Sequence, residues 1–171
     1  MAFVVEDGTG VAGANAYITV AEADTIHLDR QNQKWVGGDL QKQAAIICAT
    51  DYVESRWYGK FLGSRLEDDQ GLSMPRGDIC DEAGNEIEGI PDDFKKAIAI
   101  YALKALSEDL YTQIDANTVG KSVNSIKEKV GPIETETKYT ENGSSSTIRP
   151  IPEADSIIRR FVINSKRVIR A

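Results

Sequence analysis

The chain has 171 residues, 41% hydrophobic and 27% charged, a balance ordinary for a globular protein with a real core. Its net charge of −7 is uneven: residues 1–155 hold 15 basic and 27 acidic side chains, residues 156–171 five basic and none acidic. That acidic body excludes a protein wrapping nucleic acid over its whole surface. No apolar run approaches the ~18 residues of a membrane span, and one histidine with two distant cysteines gives no zinc constellation.

The start, MAFVVEDGTG, lacks the pattern of a secretory signal. Cys48 and Cys80 are therefore expected as free, buried thiols in a reducing compartment. Residues 1–18 read as an extended arm, with Phe3, Val4 and Val5 as strand formers and Gly8, Gly10 and Gly13 as punctuation. Gly8 to Gly13 match G-x-G-x-x-G, the phosphate-holding turn of dinucleotide folds. The context is wrong for it: strand-like Ala14–Val20 follows where a helix should begin.

Thr19 with Glu22 has capping-box spacing and opens a helix to about Gln31, burying Ala23, Ile26 and His27. Trp35 sits in a connection ending at Gly37-Gly38. Asp39 is expected to cap a second helix, Leu40–Trp57, with Leu40, Ala44, Ile47, Cys48 and Tyr52 on its inner face. In the irregular stretch Trp57–Met74, Arg56, Lys60 and Arg65 interleave with Trp57, Tyr58 and Phe61. Such a pattern is either a base-stacking platform or a set of core anchors with basic stems over them; without strand alternation the second is favoured. Met74–Gly77 is a turn, and the acids between Asp78 and Glu88 belong to a solvated loop or small hairpin.

The helix Ile90–Tyr111 has no charge from Ala97 to Leu103 and belongs in the core. Were the last helix to leave it to grip a partner, one side would become an intersubunit contact. After a polar link, Lys121–Thr140 reads as β structure, with Ile133, Thr135, Thr137 and Tyr139 alternating on one face. Gly131-Pro132 interrupts it, and Asn142-Gly143 is a hairpin signal. The last helix follows Pro150-Ile151-Pro152. Its stripe is Ala154, Ile157, Ile158, Phe161 and Val162, and a basic end follows. The fold expected is mainly α with a β-hairpin, about a four-helix bundle plus an extended β projection. It forms one domain: arm 1–18, helical core 19–111, hairpin 121–149, and C-terminal helix with basic tail 152–171.

Several of these pieces, in this order, resemble one family. They are Val5-Glu6-Asp7-Gly8-Thr9-Gly10 with Ala14-Asn15-Ala16-Tyr17, the helix AIICATDYVESR over 45–56, Met74-Pro75-Arg76, Ile90-Pro91, and Lys127–Glu134. The chain is similar over most of its length to the tailed-bacteriophage proteins labelled DnaT-like single-stranded DNA-binding, whose members look like head–tail connectors, or adaptors. The resemblance implies a virion protein of the neck, present in the host cytoplasm during assembly, with no catalysis and no cofactor. It implies a ring, of twelve copies, between the portal and a tail-side stopper or tail-completion protein. Genomic double-stranded DNA would pass through without specific binding, and no membrane is involved.

On that reading Lys127, Lys129, Ile133, Thr135, Thr137 and Tyr139 of the projection meet neighbouring subunits. The portal is met by Ile157, Ile158, Arg159, Arg160, Phe161, Lys166, Arg167 and Arg170. The alternative is a single-stranded DNA-binding protein of phage replication, resting on Arg56, Trp57, Tyr58, Lys60, Phe61 and Arg65.

Overall fold

The computed structural model describes residues 2–81, 83–111 and 149–163, and the backbone of 122–129 and 134–140. Four helices and a two-stranded antiparallel hairpin make it mainly helical with a small sheet. The order is α1 (Val20–Asp29), α2 (Asp39–Trp57), the two-residue strands β1 (Ser64–Arg65) and β2 (Arg76–Gly77), α3 (Asp92–Ala105), β3 (Ser122–Lys129), β4 (Glu134–Thr140) and α4 (Pro152–Ile158). Two units divide the chain: Met1–Leu110 with Pro150–Ala171, and Tyr111–Arg149.

Local chemistry sets the helix starts. Thr19 closes the capping box that its spacing predicts: its Oγ1 accepts from Glu22 N at 3.1 Å, and Glu22 Oε2 accepts from Thr19 N at 2.8 Å. Asp39 is not the cap of α2. Gly38 is, its N–H donating to Gln41 Oε1 at 3.1 Å, and Asp39 lies in the first turn, where its charge suits the helix dipole. Pro91 is the N-cap of α3, and α3 stops at Ala105 rather than Tyr111.

α3 is the hub. Phe94 and every residue from Ala97 to Tyr101, with Ala102, are buried, as a helix apolar on all sides requires. It packs mainly on α2 and α4, and also on α1. Phe94 collects the aromatic core: the rings of Tyr17, Phe161 and Phe61 lie 4.9, 5.8 and 6.0 Å from it, centroid to centroid. Ala154, Ile158, Phe161 and Val162 are buried too, so α4 covers α3 within the subunit, and the apolar surface of α3 is spent internally.

α2 buries only part of the face expected inward: Tyr52 is buried and Ile47 half-buried, but the rest of that face is not. It buries Ala45, Ile46, Ala49, Thr50, Tyr52, Val53 and Trp57, while Leu40, Ala44 and Cys48 face solvent. The helix carries two apolar stripes, and α3 packs on it with Tyr101 5.0 Å from Tyr52, ring centre to ring centre. Cys48 and Cys80 are both exposed rather than buried.

In the hairpin, β3 and β4 pair with Lys127 opposite Glu136, Glu128 opposite Thr135, and Lys129 opposite Glu134, with a register shift between Val123 and Ser125. The residues joining the strands, 130–133, include the Gly131-Pro132 pair. Ile133 and the Asn142-Gly143 signal lie outside the described residues.

Candidate nucleic-acid and partner interfaces

The glycine-rich turn is built around an anion of its own. Glu6 is buried, and its carboxylate accepts the N–H groups of Gly8 (3.0 Å), Gly10 (2.9 Å) and Val11 (2.8 Å). Gly8 and Gly10 have φ of 99° and 86°, a region open to glycine, and this turns successive amides inward. The nest that would cradle a phosphate in a nucleotide fold is therefore filled by Glu6. Asn15 ties the arm down as well, accepting from Val4 N at 2.9 Å and donating to Ala2 O at 2.8 Å.

The aromatic–basic stretch after α2 is core, not platform. Trp57 and Phe61 are buried. Arg56 donates to Tyr52 Oη and to Asp155 Oδ2, the latter at 2.6 Å, and its guanidinium lies 5.1 Å from the Trp57 ring centre. Arg65 donates to the Gln70 carbonyl, and Lys60 Nζ to the Arg56 carbonyl at 3.1 Å. Arg76 clamps the carbonyls of Leu62 (2.6 Å), Gly63 (2.7 Å) and Ser73 (3.2 Å). Buried Gln70 donates to the carbonyls of Leu72 and Pro75. Side chains thus satisfy backbone groups that a sheet or helix would otherwise have paired. Tyr58 alone of the three aromatics is open, at 72%.

Beside Tyr58, residues 161–163 are clamped to residues 60–62. Leu62 N donates to Phe161 O at 2.9 Å and Ile163 N to Lys60 O at 2.7 Å, around an antiparallel bridge of Phe61 and Val162. Of the residues expected to meet a portal, Ile158 and Phe161 are core, Ile157 is half-buried, and Arg159 and Arg160 are exposed, Arg160 pairing with Asp93 at 2.9 Å. The apolar stripe is thereby unavailable for docking while α4 stays on α3. Lys166, Arg167 and Arg170 lie outside the described residues. In the hairpin Lys127, Lys129, Thr135, Thr137 and Tyr139 have defined register positions; their side chains lie outside the description.

The acidic loop is a local turn. Asp81 accepts from the N–H groups of Ala83 and Asn85, both at 2.8 Å, and from Asn85 Nδ2 at 3.0 Å, closing a Cys80–Glu86 bridge. Among the described residues no group of three or more His, Cys, Asp or Glu side chains stands ready to hold a metal ion.

A cleft of ≈ 520 Å³ opens at the α1–α2 junction, lined by Asp24, Leu28, Gln31, Trp35 and Lys42 among others. Asp24 Oδ1 accepts from Trp35 Nε1 at 2.6 Å and Lys42 Nζ at 2.8 Å. Behind it His27 is buried between Ala99 O (3.1 Å from Nε2) and Asn32 Nδ2 (3.1 Å from Nδ1), with its ring 4.5 Å from Trp35. Burial foremost, then Arg30 and Lys42, hold its pKa below 6.5 against the opposing Ala99 carbonyl and Asp24. The unfolded chain therefore takes up the proton first. Stability is full above about pH 6.5 and is expected to fall as pH drops toward the folded-state pKa, by at most about 1.4 kcal/mol per pH unit. Urea titrations from pH 7 to 5 check this: His27→Gln should flatten the slope, and an unchanged slope would assign it elsewhere.

A family model described as "Putative DnaT-like ssDNA binding protein" matches residues 1–171. No curated protein matches the chain, and neither does any solved structure.

Proposed function

The chain belongs to the DnaT-like ssDNA-binding protein family, and we propose, beyond what that description says, that it is a structural phage protein: a head–tail connector whose copies ring the exit below the portal, extend the DNA channel and meet the tail-side stopper. One observation carries the preference over free single-strand binding, namely the burial of Trp57 and Phe61. A single-strand groove needs open ring faces on which successive bases stack, and here two of three candidate rings support the core. The acidic body fits a channel wall, because negative charge repels phosphate and lets a duplex slide without sticking. Electron microscopy of the protein mixed with its phage's portal tests the reading. Density capping the portal's tail-side end is expected; a portal left bare at saturating protein would sink it.

The family's own description favours a second reading, single-stranded DNA binding in phage replication. Its place on this molecule is the surface of exposed Tyr58 with Lys60, and with Arg159 and Arg160 just before the clamped segment. Fluorescence anisotropy with a labelled oligo-dT across a salt series separates the two. The connector reading expects no saturable binding near physiological salt. Binding that weakens with salt and drops about tenfold in Tyr58→Ala, the size of one lost base–aromatic stack, would establish the second.

A further inference from the structure

The outward side of α2 carries one continuous stripe. From its C-cap upward it runs through Tyr58, Ser55, Asp51, Cys48 with half-buried Ile47, then Ala44 and Leu40. These positions recur every three or four residues, so they share one face of the helix. Neither cation of α2 lies on it: Lys42 pairs with Asp24, and Arg56 with Asp155. The end of α3 flanks it. Burial foremost, then Asp51 and Asp109, raise the Cys48 thiol's pKa, which sets Asp109, just past α3, beside the middle of α2.

The stripe is thus apolar from Leu40 to Cys48 and acidic beside that, where Asp51, Asp109 and the carbonyl end of α3 favour a cation. Lys104, the cation of the last turn of α3, lies 3.6 Å from Glu108. A segment that is both aliphatic and basic fits such a surface, and the chain delivers one to it. The clamp of 161–163 on 60–62 is antiparallel, so at Ile163 the backbone heads back toward Tyr58 and the end of α2. The sequence continues Asn164-Ser165-Lys166-Arg167-Val168-Ile169-Arg170-Ala171, with three cations and no acid. Its reach is right as well. Cys48 lies nine residues above Trp57, about 14 Å along the helix. Ile169 is six residues beyond Ile163, a span of up to about 20 Å when extended.

We propose that residues 164–171 lie back along α2 of their own subunit, setting Val168 and Ile169 on Ala44, Ile47 and Cys48, and Lys166, Arg167 and Arg170 beside Asp51 and Asp109. The basic end is then a strap, and any partner that takes it must first displace it from α2. The inference goes beyond both readings of function and needs neither, since a portal and a nucleic acid would meet the same strap.

Disulfide trapping in the full chain decides it. With Cys80→Ser, Cys48 is the only native thiol. Ile169→Cys should join it within one chain on mild oxidation, read by non-reducing electrophoresis and peptide mass spectrometry. Ser165→Cys, two residues past the clamp, is too near it to span to Cys48 and should stay unjoined. A tail that merely wanders would meet Cys48 too, and Asp51→Asn/Asp109→Asn separates the cases. Both positions are exposed, and circular dichroism checks the fold. Removing the two acids lowers the Cys48 pKa and makes the thiol more reactive, so a wandering tail would be trapped faster. A docked tail should instead be trapped about fivefold more slowly, the scale of two exposed ion pairs lost. Added salt should slow trapping in the parent protein as well, a check that needs no further substitution. No bond between Cys48 and Ile169→Cys, a bond between chains only, or a rate that salt and the two Asn changes leave unchanged or raise overturns the proposal.

Discussion

Asp155→Ala is expected to lower unfolding stability by about 3–5 kcal/mol, the usual cost of leaving one partner of a buried ion pair uncompensated. The Asp155 side chain is 3% exposed and that of Arg56 16%. Asp155 accepts from Arg56 Nη2 at 2.6 Å and from the Tyr101 hydroxyl at 2.5 Å. Burial first, and then Asp155, push the Tyr101 hydroxyl's pKa upward, so it remains a donor at any working pH. The pair joins α4 to the end of α2, while Tyr101 brings in α3. Removing the carboxylate strands a cation among aromatics, beside the Tyr52 hydroxyl and the faces of Tyr52 and Trp57. Arg56→Met/Asp155→Leu should therefore cost less than either single change, because no buried charge remains. Denaturant unfolding of the two singles and the double closes the cycle. A double variant that loses the full sum of the singles would show the pair to be two independent anchors.

The parts of this fold that were legible in the sequence are those decided by near neighbours. Thr19 and Glu22 are three residues apart and find each other. The run Ala97–Ala102 has no polar face to offer water, so its burial follows from composition alone. The β character of Lys121–Thr140 likewise follows from alternation, but the sequence misplaces the turn: its hairpin signal is Asn142-Gly143, whereas Ser122–Lys129 pairs with Glu134–Thr140 on either side of Gly131-Pro132. α2 defeated the same reasoning because Leu40–Ala44–Cys48 and Ala45–Ala49–Val53 are both apolar at helical spacing; only the arrival of α3 chooses between them. The stretch from Tyr58 to Gly77 defeated it for another reason. Its hydrogen bonds run from Arg65, Gln70 and Arg76 to carbonyls several residues away, and no periodicity records that. The candidate surface was half legible: the aromatic–basic interleaving was visible, but which ring stays outside depended on Phe94 collecting Phe61.

Glu6→Gln is expected to cost about 2–4 kcal/mol, on the scale of losing charge-assisted hydrogen bonds to amides that remain out of water. The carboxylate spreads three accepted bonds over two oxygens, two on Oε1 and one on Oε2. Glutamine keeps one acceptor oxygen and turns an NH2 group toward the remaining N–H, donor against donor. Gly10 packs closely against Glu67, whose Cγ would stand 2.9 Å from a Cβ added there. The arm should then loosen, and with it the support of Ala14, Ala16, Tyr17 and Ile18, all buried. Urea unfolding measures the loss, and amide exchange at Gly8, Gly10 and Val11 localises it: these three should lose protection before the helices do. Adding phosphate distinguishes the two possible meanings of the glycine motif. If the nest exists to hold Glu6, phosphate will not stabilise the wild type, whose cradle is full. Stabilisation of the wild type by millimolar phosphate, together with an unchanged stability of Glu6→Gln, would mean that the carboxylate is a stand-in and that the turn is an anion site after all.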